Sequence, residues 1–415
     1  MDNVIPPDFH LRANSVPLAE LNPAQPALFQ ANGFWPYFER LRREDPVHYT
    51  AQSEFGPYWS ITKYKDIKAV DINHKAFSSD SRLGGITIRD QLQEFPLPMF
   101  IAMDPPRHSA QRKAVTPMME PANLLNMAPI IRARMQSILD ELPRGEVFDW
   151  VDRVSIELTT QMLATLFDFP FDERRKLTRW SDVATAIPGN GIVDTEEQRQ
   201  DELRACAAYF MNLWNQRINL EAPAHDLISM LAHAPATREM PPQEFLGNLI
   251  LLIVGGNDTT RNSITGAIYA FSKFPDEWAR LRANPSLLDT AIPEIIRWQT
   301  PLAHMRRTAK EDVEVGGKLI RTGDKVVMWY VSGNHDEEVM ERACDLIIDR
   351  AKARSHLSFG FGIHRCVGNA LAEMQLRIVL EEILKRDLRI EVLEEPTRIF
   401  SSFIKGYSRM PVRIN

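Results

Sequence analysis

The sequence predicts a mainly α-helical protein with small peripheral β-sheets, and three observations carry that prediction. From about Pro121 to Arg280 apolar residues recur at helical spacing almost without a break. Strand signals are confined to short runs near the two ends of the chain. No Gly/Ser run, repeat or low-complexity tract divides the 415 residues, of which 44% are hydrophobic. Residues 1–415 are therefore expected to form one large domain, beyond the usual domain size.

Taken in order, residues 1–33 are proline-rich and are expected to be an irregular entry segment. Trp35 to Arg43 puts Trp35, Phe38 and Leu41 on one face of a short helix. Val47–Thr50 and Tyr58–Thr62 bracket Ser53-Glu-Phe-Gly56-Pro57 and read as a hairpin, followed by a helix over Tyr64–Ile72. Residues 78–101 form a long apolar connection, with Leu83, Ile86, Ile88, Leu92, Phe95, Leu97, Met99 and Phe100. A connection of that length suggests a lid or binding loop, the alternative being a helical link packed on the core. Helices are expected at roughly 123–141, 153–167, 172–185, 195–220, 226–232 and 242–274, with a turn-rich hinge at 187–192. Late strands follow: a hairpin of 312–315 with 318–320, then 325–331, 388–392 and 410–414.

A net charge of −6 argues against a dedicated nucleic-acid binder. The three cysteines, Cys206, Cys344 and Cys366, exclude a disulfide scaffold and suit a reducing compartment. The N-terminus lacks the basic start and apolar core of a signal peptide, and no apolar run approaches the ~20 residues of a membrane span. A soluble, cytoplasmic protein is expected.

Chemistry is expected first at Phe359-Gly-Phe-Gly-Ile-His-Arg-Cys366-Val-Gly368, a glycine-rich loop running into an amphipathic helix. A thiolate there would sit near the positive end of a helix dipole, with free amide N–H groups beside it. Gly360, Gly362 and Gly368 would let a flat ligand lie against the backbone. A lone cysteine before a helix is more often a small buried apolar residue, and the full spacing is more specific than the cysteine.

The second feature is Gly255-Gly256-Asn257-Asp258-Thr259-Thr260, which follows the apolar run Leu249–Val254 in one predicted helix. Glycine inside a helix costs ~1 kcal/mol relative to alanine. A buried carboxylate costs more unless it is paired. Such a stretch suggests a loosened turn serving a ligand, with a freed carbonyl; the alternative is that Asp258 and Thr259 cap a second helix. Glu294 and Arg297 share a helix face at i, i+3 and can pair. His108 and Arg112 share another face at i, i+4, where a solvated basic surface is the plain alternative. His364 is a weak candidate for a metal ligand.

Together these motifs, in this order and spacing over residues ~100–370, resemble the cytochrome P450 family of haem-thiolate monooxygenases. The resemblance implies the P450 fold, with haem b held between a long distal helix and the helix after the cysteine loop. It implies that Cys366 is the axial iron ligand and that Phe359, Gly360 and Gly368 shape its loop. Thr259 would hold dioxygen and pass protons, and Asp258 would link that relay to water. The haem propionates would meet His108, Arg112, Arg307 and His356, with Arg306 as the competitor of Arg307. Glu294 and Arg297 would be a buried structural pair. His364 would match a basic position facing the redox partner, and Cys206 and Cys344 would be inert.

Because the chain carries no flavin or iron–sulfur module, electrons are expected from a separate [2Fe-2S] ferredoxin and its NAD(P)H-dependent ferredoxin reductase. A basic docking face would comprise Arg107, Lys113, Lys352, Arg354 and Arg365, and a monomer is expected. At a finer level, Val254–Ser263, Met103–Ser109 and His304–Thr308 resemble the bacterial branch that hydroxylates n-alkanes and fatty acids at the terminal carbon. Candidate pocket walls are Phe100, Leu251, Leu252, Gly255, Leu302, Met305 and Phe403. They would suit an aliphatic chain and equally a terpene or aromatic ring. Competing readings are a peroxygenase or isomerase of the same haem-thiolate type, or a haem-based gas sensor or electron carrier. The acid–alcohol pair speaks against them.

Overall fold

The computed structural model describes residues 7–90, 97–221 and 224–415. The helical pattern read from the sequence materialises as α1 (Pro7–Ser15), α2 (Pro26–Gln30), α3 (Trp35–Glu44), α4 (Tyr64–Ile72), α5 (Arg107–Val115), α6 (Pro121–Asp140), α7 (Glu157–Phe167), α8 (Arg175–Thr185), α9 (Glu196–Arg217), α10 (Leu227–His233), α11 (Pro242–Lys273), α12 (Pro275–Ala283), α13 (Leu288–Gln299), α14 (Tyr330–Gly333) and α15 (Asn369–Lys385). A wider helical turn, Val151–Ile156, leads into α7.

The strands are β1 (Val47–Thr50), β2 (Tyr58–Ile61), β3 (Phe77–Ser78), β4 (Val147–Asp149), β5 (Met305–Ala309), β6 (Val313–Val315), β7 (Lys318–Ile320), β8 (Lys325–Met328), β9 (Ile390–Val392), β10 (Thr397–Arg398), β11 (Tyr407–Arg409) and β12 (Pro411–Ile414). They form a five-stranded sheet in the order β1-β2-β8-β5-β3, a three-stranded sheet β4-β12-β9 and two hairpins.

Three expectations are corrected. The entry segment is not irregular, because α1 and α2 both lie in it. Proline opens each of them, and proline is favoured in a first helical turn, where its missing N–H has no helical partner to lose. The strand expected to run to Val331 ends at Met328 and turns into α14. The loosened turn expected at Gly255–Gly256 is absent, since α11 runs unbroken through 32 residues, about 48 Å.

Helix α11 is the central beam. Leu249, Ile253, Ile264 and Ala267 are buried in a core shared with α7, α8, α13 and α15. Burial of that apolar surface, at about 25 cal/mol per Å², outweighs the propensity cost of two glycines. Two smaller cores lie on the two faces of the five-stranded sheet, drawing on alternate residues of β8. Trp329 stacks with Phe29 and packs against Phe38 in one, and Ile67, Val326 and Leu357 meet in the other. Among the described residues no helix is long and apolar enough to cross a membrane.

Candidate active site

The cysteine loop is built from its own backbone. Gly360 and Gly362 take φ of +66° and +67°, left-handed values that side chains rarely adopt. At Gly362 a Cβ would press on the backbone of Asp71 and Ile72 at about 3.0 Å. The chain thereby folds back so that the Cys366 amide donates to the Phe359 carbonyl at 2.8 Å, and α15 begins three residues later. Burial pushes the Cys366 thiol up. The Gly368 amide and the Arg112 and Arg365 cations pull the other way, favouring the thiolate.

Behind this loop lies a buried ionic network. Glu294 receives Arg297 through two hydrogen bonds of 2.7 and 2.9 Å, and both residues are fully buried. Arg350, which sequence reasoning missed, adds a second guanidinium to the same carboxylate at 3.0 Å. Arg297 also donates to the carbonyls of Asn334, Ala343 and Asp345. The Asn334 side chain in turn holds the Leu357 amide and the Ser358 hydroxyl, at the entrance to the cysteine loop.

Cys366 opens into a cavity of about 640 Å³ between this loop and α11. Phe359, Gly360 and Gly368 line the same wall, and Phe100, Leu251, Leu252, Gly255, Leu302, Met305 and Phe403 all line the cavity as well. The two helix glycines differ in use. Leu163 of α7 covers Gly256, whereas a Cβ on Gly255 would point into open space. In the long connection, Ile86, Ile88, Leu97, Met99 and Phe100 line the cavity, while Leu83 is exposed. Leu92 and Phe95 lie outside the described residues. The 187–192 turn brings Ile187 to the wall.

Thr259 faces the cavity, its hydroxyl donating to the Gly255 carbonyl at 3.0 Å. Asp258 is on the other side of the helix and fully buried. Its Oδ1 accepts from Ser181, Asn257 and Arg261 at 3.0, 3.2 and 3.1 Å, and its Oδ2 has no partner. Arg261 also pairs with Asp182 on α8 at 2.7 Å. Burial pushes the Asp258 carboxyl up, against the pull of Arg261.

One end of the cavity is rich in nitrogen. His108, Arg112, Arg307 and His364 line it, and the two imidazoles lie 4.2 Å apart with none of their nitrogens hydrogen-bonded. Burial first, then neighbouring cations, pushes His108 down to about 4 and His364 to about 2.

Here His356 is displaced from its expected role. It is absent from the cavity wall, and its Nδ1 accepts the Ser358 amide at 3.2 Å. The Gly360–Gly362 turn swings His364 inward instead, so His364 is buried and does not face a partner protein. Adjacent residues of β5 point to opposite faces. Arg307 faces the cavity and pairs with Asp71 at 2.8 Å, while Arg306 turns away to Asp90. Asp71, also missed, ties Arg307, the Tyr330 hydroxyl and the Phe361 amide together.

The family model of cytochrome P450 matches residues 196–405. Linalool 8-monooxygenase from Pseudomonas putida is 36% identical over 90% of this chain and 94% of its own length. The chain belongs to the cytochrome P450 family of monooxygenases. Among solved structures this P450 is similar to CYP153D17 from Sphingomonas sp. PAMC 26605, with a TM-score of 0.88 and 49% identity over 94% of this chain and 98% of that one. A cytochrome P450-153 from Novosphingobium aromaticivorans is similar too, with a TM-score of 0.89 and 45% identity over 95% and 100%.

The family's cofactor is haem b, and the residues present fit it. The open faces of Gly255 and Gly368 leave room for a planar group between α11 and the cysteine loop. The orphaned imidazole nitrogens beside Arg112 and Arg307 demand an anion, which carboxylates on the edge of such a group would supply. The five expected basic surface residues are exposed, but Arg107 is engaged by Glu244 and Arg354 by Glu373.

Proposed function

We propose that this P450, acting as a single domain, hydroxylates an aliphatic substrate, an n-alkane or a fatty acid, at its terminal carbon. Its electrons would come from a separate [2Fe-2S] ferredoxin and NAD(P)H-dependent reductase. The observation that carries the substrate reading is the chemistry of the wall. Phe100, Leu251, Leu252, Leu302, Met305 and Phe403 are apolar. Of the charged residues that reach the substrate part of the cavity, Asp90, Glu196 and Arg199 are held by Arg306 and Lys325 or by each other, and the exposed Arg89 is a cation that a fatty-acid carboxylate could meet. The likeness of Val254–Ser263 to the alkane-hydroxylating branch supports the same reading.

In this reading Cys366 ligates the haem iron, and His108, Arg112, Arg307 and His364 hold the propionates. When bound, the haem supplies two-electron activation of dioxygen, which thiolate donation favours. The chain's own residues position, dry and protonate. The apolar wall excludes water and holds the substrate carbon. Thr259 presents a hydroxyl that donates a hydrogen bond to the Gly255 carbonyl and whose lone pairs can accept another. Asp258, fixed through Oδ1 by Ser181 and Asn257, keeps Oδ2 for proton exchange behind it.

The linalool-oxidising relative favours one second reading, an acyclic terpene as substrate. The test is turnover of n-alkanes, fatty acids and linalool with NADH, ferredoxin and reductase, followed by mass spectrometry. A terminal alcohol from an n-alkane or fatty acid supports the proposal. Oxidation of linalool alone selects the second reading. Product formed only with added peroxide overturns both.

A further inference from the structure

We infer that Gly247 and Asn248 of α11 are positioning residues for substrate selection, setting where the Phe100 wall of the cavity stands. Neither residue lines the cavity, whereas Leu97, Met99, Phe100 and Ile101 do. At Gly247 the helix is bare, and the backbone at Pro98 rests on it. A Cβ there would fall well inside contact distance of the Pro98 carbonyl. One residue on, the fully buried Asn248 accepts the Phe100 amide on Oδ1 at 2.8 Å. The wall therefore meets α11 through one steric and one polar contact at consecutive positions.

The sense of that polar contact is dictated from a distance. Glu244, buried one turn earlier on α11 and paired with Arg107 at 2.7 Å, can only accept while ionised. The Gln111 amide nitrogen must therefore donate to it, which leaves Gln111 Oε1 as an acceptor. Asn248 Nδ2 fills that acceptor at 3.1 Å, and Asn248 Oδ1 is left facing the Phe100 N–H. A carboxylate at the end of the chain so fixes which way each buried amide points, and the last amide fits a backbone donor alone. Because the chain joins α5, α11 and the 97–101 segment, side-chain size at 247 and hydrogen bonding at 248 control where Phe100 stands relative to Leu251 on the cavity wall. The inference rests on P450 binding of apolar ligands and is independent of which aliphatic molecule is the native substrate.

The haem-loaded full chain tests this by titration with n-alkanes from hexane to hexadecane, read as the change in Soret absorbance. Asn248→Leu and Gly247→Ala should each change the ratio of hexadecane to hexane dissociation constants by about fivefold or more, the equivalent of one lost hydrogen bond. A purely structural role would weaken all alkanes alike, and an unchanged ratio in loaded variants overturns the inference. Should the variants fail to load haem, hydrogen exchange of the wild-type protein decides. A protected Phe100 amide upholds the latch, and one exchanging as fast as an exposed loop amide overturns it.

Discussion

The two sides of the cavity are held by opposite means. On the cysteine side, Arg297 alone makes five hydrogen bonds with Glu294 and three carbonyls, and Asn334 carries that order to Leu357 and Ser358. On the substrate side, the wall is assembled from segments near residues 86–90, 97–101, 184–187, 250–255, 301–305 and 401–404, which meet largely through apolar side chains. Buried ionic networks tolerate almost no change, because removing one partner strands a charge. Apolar contacts accept volume-conserving swaps for about 1 kcal/mol. One side keeps the chemistry constant while the other can change what is oxidised.

The harshest way to test this contrast is Arg297→Ala. It leaves Glu294 to Arg350 alone and takes the guanidinium donors from the buried Asn334 and Ala343 carbonyls, a loss of about 3–5 kcal/mol. Little haem-loaded protein should be recovered, and Arg297→Lys should not restore it, since an ammonium cannot reproduce the planar fork. Normal haem absorbance and melting in either variant would erase the distinction between the two sides.

Acid probes the substrate side. His304 is fully buried, with Nδ1 on the Ser402 carbonyl at 2.9 Å and Nε2 accepting the Ile88 amide at 3.3 Å, so it joins two pieces of the wall. Burial pushes it down to about 4. The unfolded chain binds this proton below about pH 6.5 and the folded chain does not, so stability is intact above that value and falls as the pH drops toward 4. The loss through this residue approaches about 3 kcal/mol. His304→Leu should flatten that part of the curve in urea melts at a series of pH values, and an unaltered slope would assign the acid sensitivity elsewhere.

The smallest effect is expected where the sides meet. Thr259→Ala removes one hydroxyl and its bond to Gly255, worth about 1 kcal/mol, and leaves both walls standing. Product per NADH should fall by about tenfold, with the missing equivalents recovered as peroxide. Coupling equal to wild type would remove Thr259 from proton handling.

How much was legible follows the same division. The Cys366 loop, the Asp258–Thr259 pair and Glu294–Arg297 each lie within ten consecutive residues, and together their order and spacing carry the family resemblance. Their partners do not. Arg350 and Asp71 sit 56 and 236 residues from Glu294 and Arg307, the groups they bind. The choice of His356 over His364 failed because two left-handed glycines decide which imidazole turns inward. Strand alternation shows that Arg306 and Arg307 face opposite ways, but only the packed sheet shows which face is the cavity. The helices at the N-terminus were hidden by prolines that begin helices as readily as they end them.

Sequence alone carried the resemblance to haem-thiolate monooxygenases and determined the helical class, because motifs depend on neighbours along the chain and helices on a period. Only the tertiary structure decided which nitrogens line the cavity and how Asn248 comes to hold Phe100, 148 residues away. Contacts across such distances are chosen by packing, and packing leaves no period in the sequence to read.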